Sequence, residues 1–278
     1  MKTKAIKYPY YWLALTMCIS LAANAQKLPN VQASGLYAPA NVKVDGKATE
    51  WGNQLQAYNK STSLFYTMAN NNDNLYLAIQ ATDRVAIEKM LGGGITFTIT
   101  NKNSSVSITT PSSSAPNRAN IVKALRSAEP VTEDLLNELN KGLVNNFKEI
   151  SLEGIGAISQ PILSVYNDYG IKVTALLDIN KTYTCELAIP IKYFTQLVSD
   201  IGSFDYNIKL NGLKFNFTNS NGQPGEIPPL VMAAGPMAGG PSASGGNGQA
   251  SNNTSVMDLI NATDFSGTYT LSKNKTKP

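Results

Sequence analysis

The chain of 278 residues carries 23 Lys+Arg against 19 Asp+Glu, no histidine and two cysteines, counts that exclude more than they establish. Without histidine there is no Ser-His-Asp or Cys-His machinery, no histidine general base, and no His-ligated zinc or haem. Charged residues make up 15% of the chain, against roughly 25% in an ordinary soluble domain, and 42% are hydrophobic, which describes a folded chain with a weakly charged surface.

Residues 1–25 read as a secretory signal peptide: Lys2, Lys4 and Lys7 precede an uncharged apolar stretch from Trp12 to Leu21, and Ala23-Asn24-Ala25 supplies the cleavage pattern before Gln26. The apolar stretch is shorter than the roughly 20 residues that span a bilayer. The bulky Met17 before Cys18 disfavours lipoprotein processing. The mature chain 26–278 is therefore expected to be exported, to the periplasm, the outer surface or the medium, with no transmembrane segment. Cleavage leaves 20 basic residues against 19 acidic ones, so a nucleic-acid or anionic-membrane partner has no electrostatic basis. It also leaves Cys185 alone, without a disulfide partner.

Period-2 alternation dominates the mature chain and predicts half-buried strands. Leu75, Leu77, Ile79 and Ala81 form one apolar row, Ile95, Phe97 and Ile99 a second, Ile171, Val173, Ala175 and Leu177 a third, and Cys185, Leu187 and Ile189 a fourth. Tyr206, Ile208 and Leu210 hold one parity and Leu213, Phe215 and Phe217 the other; a type I′ turn or a bulge with positive φ at Asn211-Gly212 accounts for the switch. Between the second and third rows, Ile121, Ala124 and Leu125, then Leu135, Leu136, Leu139, Leu143 and Val144, recur at helical spacing. They predict a helical insertion over about 117–148, with Thr132 as an N-cap between Val131 and Leu136. A Gly/Pro/Ser-rich stretch over about 219–255 predicts a flexible loop, and 267–272 a closing strand. The whole reads as a single all-β domain, an antiparallel β-sandwich of jelly-roll or immunoglobulin-like type with a helical insertion.

Four segments in order carry a resemblance. Residues 42–52 (VKVDGKATEWG) give a strand, an Asp-Gly turn and a tryptophan; residues 71–83 (NNDNLYLAIQATD) give an Asn/Asp turn and a Leu-Tyr-Leu strand ending in Asp; residues 183–194 (YTCELAIPIKYF) give Glu-x-x-Ile-Pro and a short helix; and an apolar strand comes next over 207–217. This set resembles the family 9 carbohydrate-binding module and its DOMON-like relatives. The resemblance implies a sandwich that binds a glycan between aromatic rings, in some members with structural calcium.

Trp51 is the one tryptophan left after cleavage and reads as a buried plug in preference to a ligand contact, so no tryptophan clamp carries over. The tyrosines that remain as platforms are Tyr66 and Tyr76, if they share a sheet face, and Tyr166 and Tyr169 flanking Asp168; the alternative is that they are ordinary strand tyrosines. Glu186 points away from Cys185 and Leu187, either pairing with a cation or meeting solvent, or lining a groove. Calcium, if bound, has Asp45, Asp73 and Asp83 as donors. A glycosidase needs two opposed carboxylates, and Asp168 with Glu186, or Asp178 with Glu186, are the nominations; the favoured reading is not an enzyme. It is a secreted, non-catalytic glycan-binding protein, with a cell-envelope structural or protein-interaction module as the alternative. An exposed aromatic pair over a groove favours the first, and an apolar insertion face beside a blank sheet favours the second.

Overall fold

The computed structural model describes residues 27–52, 55–213 and 256–274, with the backbone of two short strands at 217–218 and 224–225. The expected signal peptide and nearly all of the expected 219–255 loop lie outside the described residues.

Two antiparallel sheets pack face to face. The first has five strands in the order β1 (Ala57–Asn59), β2 (Leu64–Asn70), β3 (Asn74–Ala81), β9 (Tyr183–Pro190) and β8 (Lys172–Leu177). The second has six, in the order β13 (Thr263–Thr270), β10 (Ser203–Leu210), β4 (Ile95–Thr100), β5 (Ser105–Thr109), β6 (Glu149–Glu153) and β7 (Ile162–Ser164). A separate pair, β11 (Phe217–Thr218) and β12 (Pro224–Gly225), stands apart from both.

Alternation builds these strands in the simplest way. In β4, Ile95, Phe97 and Ile99 enter the core, while Thr96 and Thr98 face out and pair their hydroxyls with Thr109 (2.8 Å) and Ser107 (2.9 Å) on β5. The outward row of β10 is Ser203, Asp205, Asn207 and Lys209, so the outer face of the six-stranded sheet is polar and carries no aromatic ring on β4, β5 or β10. Between the sheets, Tyr66 and Tyr206 share a hydroxyl hydrogen bond of 2.9 Å and Tyr66 packs on Phe265 at 5.0 Å. Cys185 is a small core residue, its thiol pushed up to about 12 by burial.

The five-stranded sheet is covered on its outer face as well. Residues 36–52 run across it as a strap, with Ala38, Ala48 and Trp51 packed on Ala69 and Ala78 in a second, smaller apolar cluster. Tyr37 bridges Asn70 in parallel, and the Ala38 N–H donates to the Asn70 carbonyl at 2.8 Å. As a consequence every residue from Tyr183 to Ile189 is buried, although alternation alone predicts one solvated face for β9.

Helices fill the connections. Within the expected insertion lie α2 (Ala115–Arg126) and α3 (Glu133–Asn146), and the Thr132 hydroxyl caps α3 by accepting the Leu135 N–H at 3.3 Å. One helix was not expected: α1 (Arg84–Gly93) carries the chain from β3 in one sheet to β4 in the other. Asp83 caps it by accepting the Ala86 N–H at 2.9 Å, and it closes at Gly94, whose φ of +73° and approach to the Thr110 carbonyl leave no room for a Cβ. A short helix, α4 (Val256–Ile260), precedes β13. Among the described residues no helix is long and apolar enough to cross a membrane.

The expected turn or bulge at Asn211-Gly212 is corrected. Gly212 is not among the glycines with positive φ. The chain leaves the sheet there, with the Asn211 N–H on the Gly94 carbonyl (3.1 Å) and the Leu213 N–H on the Leu259 carbonyl (2.8 Å). The glycine serves a close approach instead, since a Cβ at Gly212 would collide with the Ile260 carbonyl oxygen.

Candidate docking cavity beside an edge strand

The strap is held by a carboxyl. Glu186, central in β9 and only 3% exposed, accepts the N–H groups of Asp45 (3.0 Å) and Gly46 (2.9 Å) on Oε2 and the Trp51 indole N–H (3.3 Å) on Oε1. Gly46 makes this turn possible: its φ is +81°, and a Cβ there meets Leu176 Cγ at 2.7 Å. Burial pushes the Glu186 carboxyl up to about 7, against the opposing pull of the three N–H donors. The expectation of a cation partner or solvent for Glu186 is thus overturned; among the described residues no lysine or arginine pairs with it. Trp51 is the buried plug that seals this cluster.

Two cavities lie along β8, one on each side of the Asp45-Gly46 turn. The smaller, about 330 Å³, is walled by Val144, Phe147, Val165 and Tyr166 and takes Val44 from the strap; Lys172 is its one charged lining residue. The larger, about 570 Å³, has a mixed lining in which Gln80, Asn137, Asp178 and Thr184 stand beside Leu136, Leu176 and Ile179, with Gly46 and Lys47 from the strap. Helix α3 borders both and is tied to the edge of β8 by Asn140, whose Nδ2 donates to the Leu177 carbonyl (2.9 Å) while its Oδ1 accepts the Leu177 N–H (2.8 Å).

The expected site residues separate on this frame. Tyr66 is fully buried between the sheets, accepting the Gln32 N–H at 2.8 Å, and offers no face to a ligand. The β2–β3 register pairs Tyr66 with Ile79 and Tyr76 with Ala69, which puts the two tyrosines on opposite faces. Tyr76 is half-buried beside the strap, with its hydroxyl accepting from Asn71 at 3.2 Å. Tyr166 is different: it is 74% exposed at the smaller cavity, with Lys148 Nζ 5.7 Å from its ring centroid. Asp168 is exposed on the same loop, and Tyr169 is half-buried, packed on the core, so no paired aromatic platform forms around Asp168.

The carboxylates nominated for metal or catalysis are engaged locally. Asp83 caps α1, Asp45 Oδ1 accepts the Lys47 N–H at 3.0 Å, and Asp73 sits in the exposed β2–β3 turn. Among the described residues no three of His, Cys, Asp and Glu come together as a metal-binding group. Asp178 Oδ1 closes the β8–β9 turn on the N–H groups of Asn180 (2.9 Å) and Thr182 (2.7 Å), and Glu186 lines neither cavity, so neither carboxylate pair faces across one.

Sequence reasoning does not single out Val144, Phe147, Lys148 or Lys172 as members of a site. Their signal is present only as the helical stripe that ends at Val144 and as the outward parity of Lys172; nothing local says that the end of α3 meets the edge of β8. Fold and cavity together define a two-sheet, antiparallel β protein with a helical insertion closing over one sheet edge. Comparisons with protein-family models, with curated proteins and with solved structures return no match.

Proposed function

We propose that the exported protein is a non-catalytic interaction module, and that a protein partner docks at the cavity between α3 and the edge of β8. One observation carries this reading: the cavity is walled by apolar side chains of the insertion and of the β7–β8 loop, Val144, Phe147, Val165 and Tyr166, of which Val144 and Tyr166 are exposed. Concave sites with apolar walls and a few polar groups are where ligands and partner side chains bind. The resemblance to carbohydrate-binding modules supplies a second reading, favoured by Tyr166 alone, whose ring is 74% exposed and has the faces a sugar stacks on.

The two readings part in one experiment. A photo-crosslinking phenylalanine analogue at position 166, in the exporting cell, is expected to give protein adducts that disappear with Val144→Asp, while calorimetry against plant and microbial polysaccharides shows no heat. Polysaccharide binding that Tyr166→Ala abolishes gives the site to a glycan instead.

A further inference from the structure

The larger cavity lies on the outer face of the five-stranded sheet. Register places Gln80, Thr184 and Leu176 side by side in one outward row of β3, β9 and β8, and Ala78, Glu186 and Thr174 in the next. The Asp45-Gly46 turn is seated on Glu186 in the second row, so the first row becomes the floor of the 570 Å³ cavity between the strap and α3.

Hydrogen-bonding capacity in this cavity is lopsided. Asn140 spends both ends of its amide on Leu177, and Gln80 spends its Nε2 on the Thr184 hydroxyl at 3.0 Å, which leaves Gln80 Oε1 as an acceptor. Asp178 uses Oδ1 in the β8–β9 turn and leaves Oδ2 free, and the carboxylate of Glu133, in the first turn of α3, has no hydrogen bond among the described residues. Neither carboxylate has a lysine or arginine within ion-pairing distance among the described residues. The one cation in the lining, Lys47, is exposed on the strap. Beside these acceptors stand the apolar side chains of Leu136, Leu176 and Ile179.

We propose that the larger cavity takes an organic cation on an apolar stem, the side chain of an arginine or lysine supplied by the docked protein partner. The inference rests on the interaction-module reading and deepens it by naming a second anchor. Guanidinium and ammonium heads are donors only, which suits a lining rich in free acceptors, and their methylene stems cover apolar surface while the head stays at the polar groups. A carboxylate or phosphate meets two like charges here. The partner is the source because the two cavities adjoin: Leu136 and Val144 are eight residues apart on α3, about 12 Å, with the strap turn between the cavities. Charge changes sign from one to the other, since Lys172 lines the smaller and Lys148 lies over Tyr166. A complementary partner surface is therefore basic at one end and acidic at the other, with an apolar residue for the smaller cavity.

The test uses the 26–278 chain with n-butylguanidinium as probe, and n-pentanol and n-pentanoate as neutral and anionic controls of similar length. In an NMR titration the guanidinium is expected to shift the methyls of Leu136 and Ile179 saturably, and the controls are not. Glu133→Gln should weaken the probe about threefold and Lys47→Gln should tighten it by a similar factor. Both residues are exposed, so neither change touches the core, and a merely structural effect does not move affinity in opposite directions. For the source of the cation, the crosslinking analogue at position 166 is placed in a Glu133→Lys chain, where the yield of protein adducts should fall about fivefold.

Methyl shifts as large with n-pentanol or n-pentanoate as with the cation, or shifts that never saturate, overturn the inference and leave the docking reading standing. Adducts at position 166 whose yield Glu133→Lys leaves unchanged overturn the partner's basic side chain and spare the docking reading. Saturable binding of the probe with no adducts at position 166 overturns the docking reading and the partner as source together, and gives the cavity to a free organic cation.

Discussion

Glu186 holds the strap with three N–H donors and no cation, so its charge is expensive to keep where it lies. Its folded pKa, about 7, stands above the ordinary 4.5. Between those values the folded protein retains a proton that the unfolded chain releases, so stability from this group is full below pH 4.5 and is lost as pH rises to about 7. Glu186→Gln, a neutral isostere, should remove that slope: unfolding free energies at pH 5 and pH 8 are expected to differ less in the variant, by about 2 kcal/mol. Tyr66→Phe tests the neighbouring core in the same way. It leaves the Gln32 N–H without its acceptor and breaks the bond to Tyr206, which should cost about 1–2 kcal/mol in a denaturation experiment. At this scale the sequence is informative about type and poor about partners. Cys185 as a core residue and Trp51 as a plug are legible from composition and parity, whereas the fate of Glu186 depends on a turn 140 residues away that no local pattern encodes.

Elements are legible where their periodicity is internal. The apolar rows of β3, β4, β8 and β9 and the stripe of α3 stand in the sequence, and so does the Thr132 cap. Helix α1 was not expected, although Asp83, Ala86, Ile87, Met90 and Leu91 have helical spacing; Arg84, Glu88 and Lys89 interrupt its apolar stripe. Two of those charges are buried: Glu88 pairs with Arg84 and with Arg126 of α2, and Lys89 reaches Thr263 at 2.9 Å. Register is the other failure, since a tyrosine pair across a hairpin shares a face only if the pairing sums correctly, and in β2–β3 it does not. The link between α3 and β8 is a clear target. Asn140→Ala strips the Leu177 N–H and C=O of their partners, and should cost about 2 kcal/mol and accelerate exchange at the Leu177 amide, while Thr132→Ala, at the far end of the same helix, should cost about 1 kcal/mol and leave that amide slow.

Across the whole molecule, two sheets and a helical insertion can be inferred from alternation, a period change and length, but the covering of the five-stranded sheet on both faces cannot. The strap that covers it comes first in the described chain and is fastened by residues that come late. Its turn bonds to Glu186, and Leu36 meets the Tyr269 hydroxyl 233 residues further on. Contacts of such separation are slow to form, because a long loop closes before any of them is made. In a chain that emerges with its N-terminus first, the strap therefore stays unseated until β9 and β13 have emerged behind it, and docks among the last events of folding. Trp51 reports that event, since its indole enters the Glu186 cluster only when the strap lies down. In refolding of the 26–278 chain, tryptophan fluorescence is expected to reach its native value after the backbone circular dichroism does; coincident traces would mean that the strap docks with the sheets. Until that step the outer surface of β3 and β9 is bare, so the interval between sheet formation and strap docking is when the chain is most open to aggregation or to proteolysis.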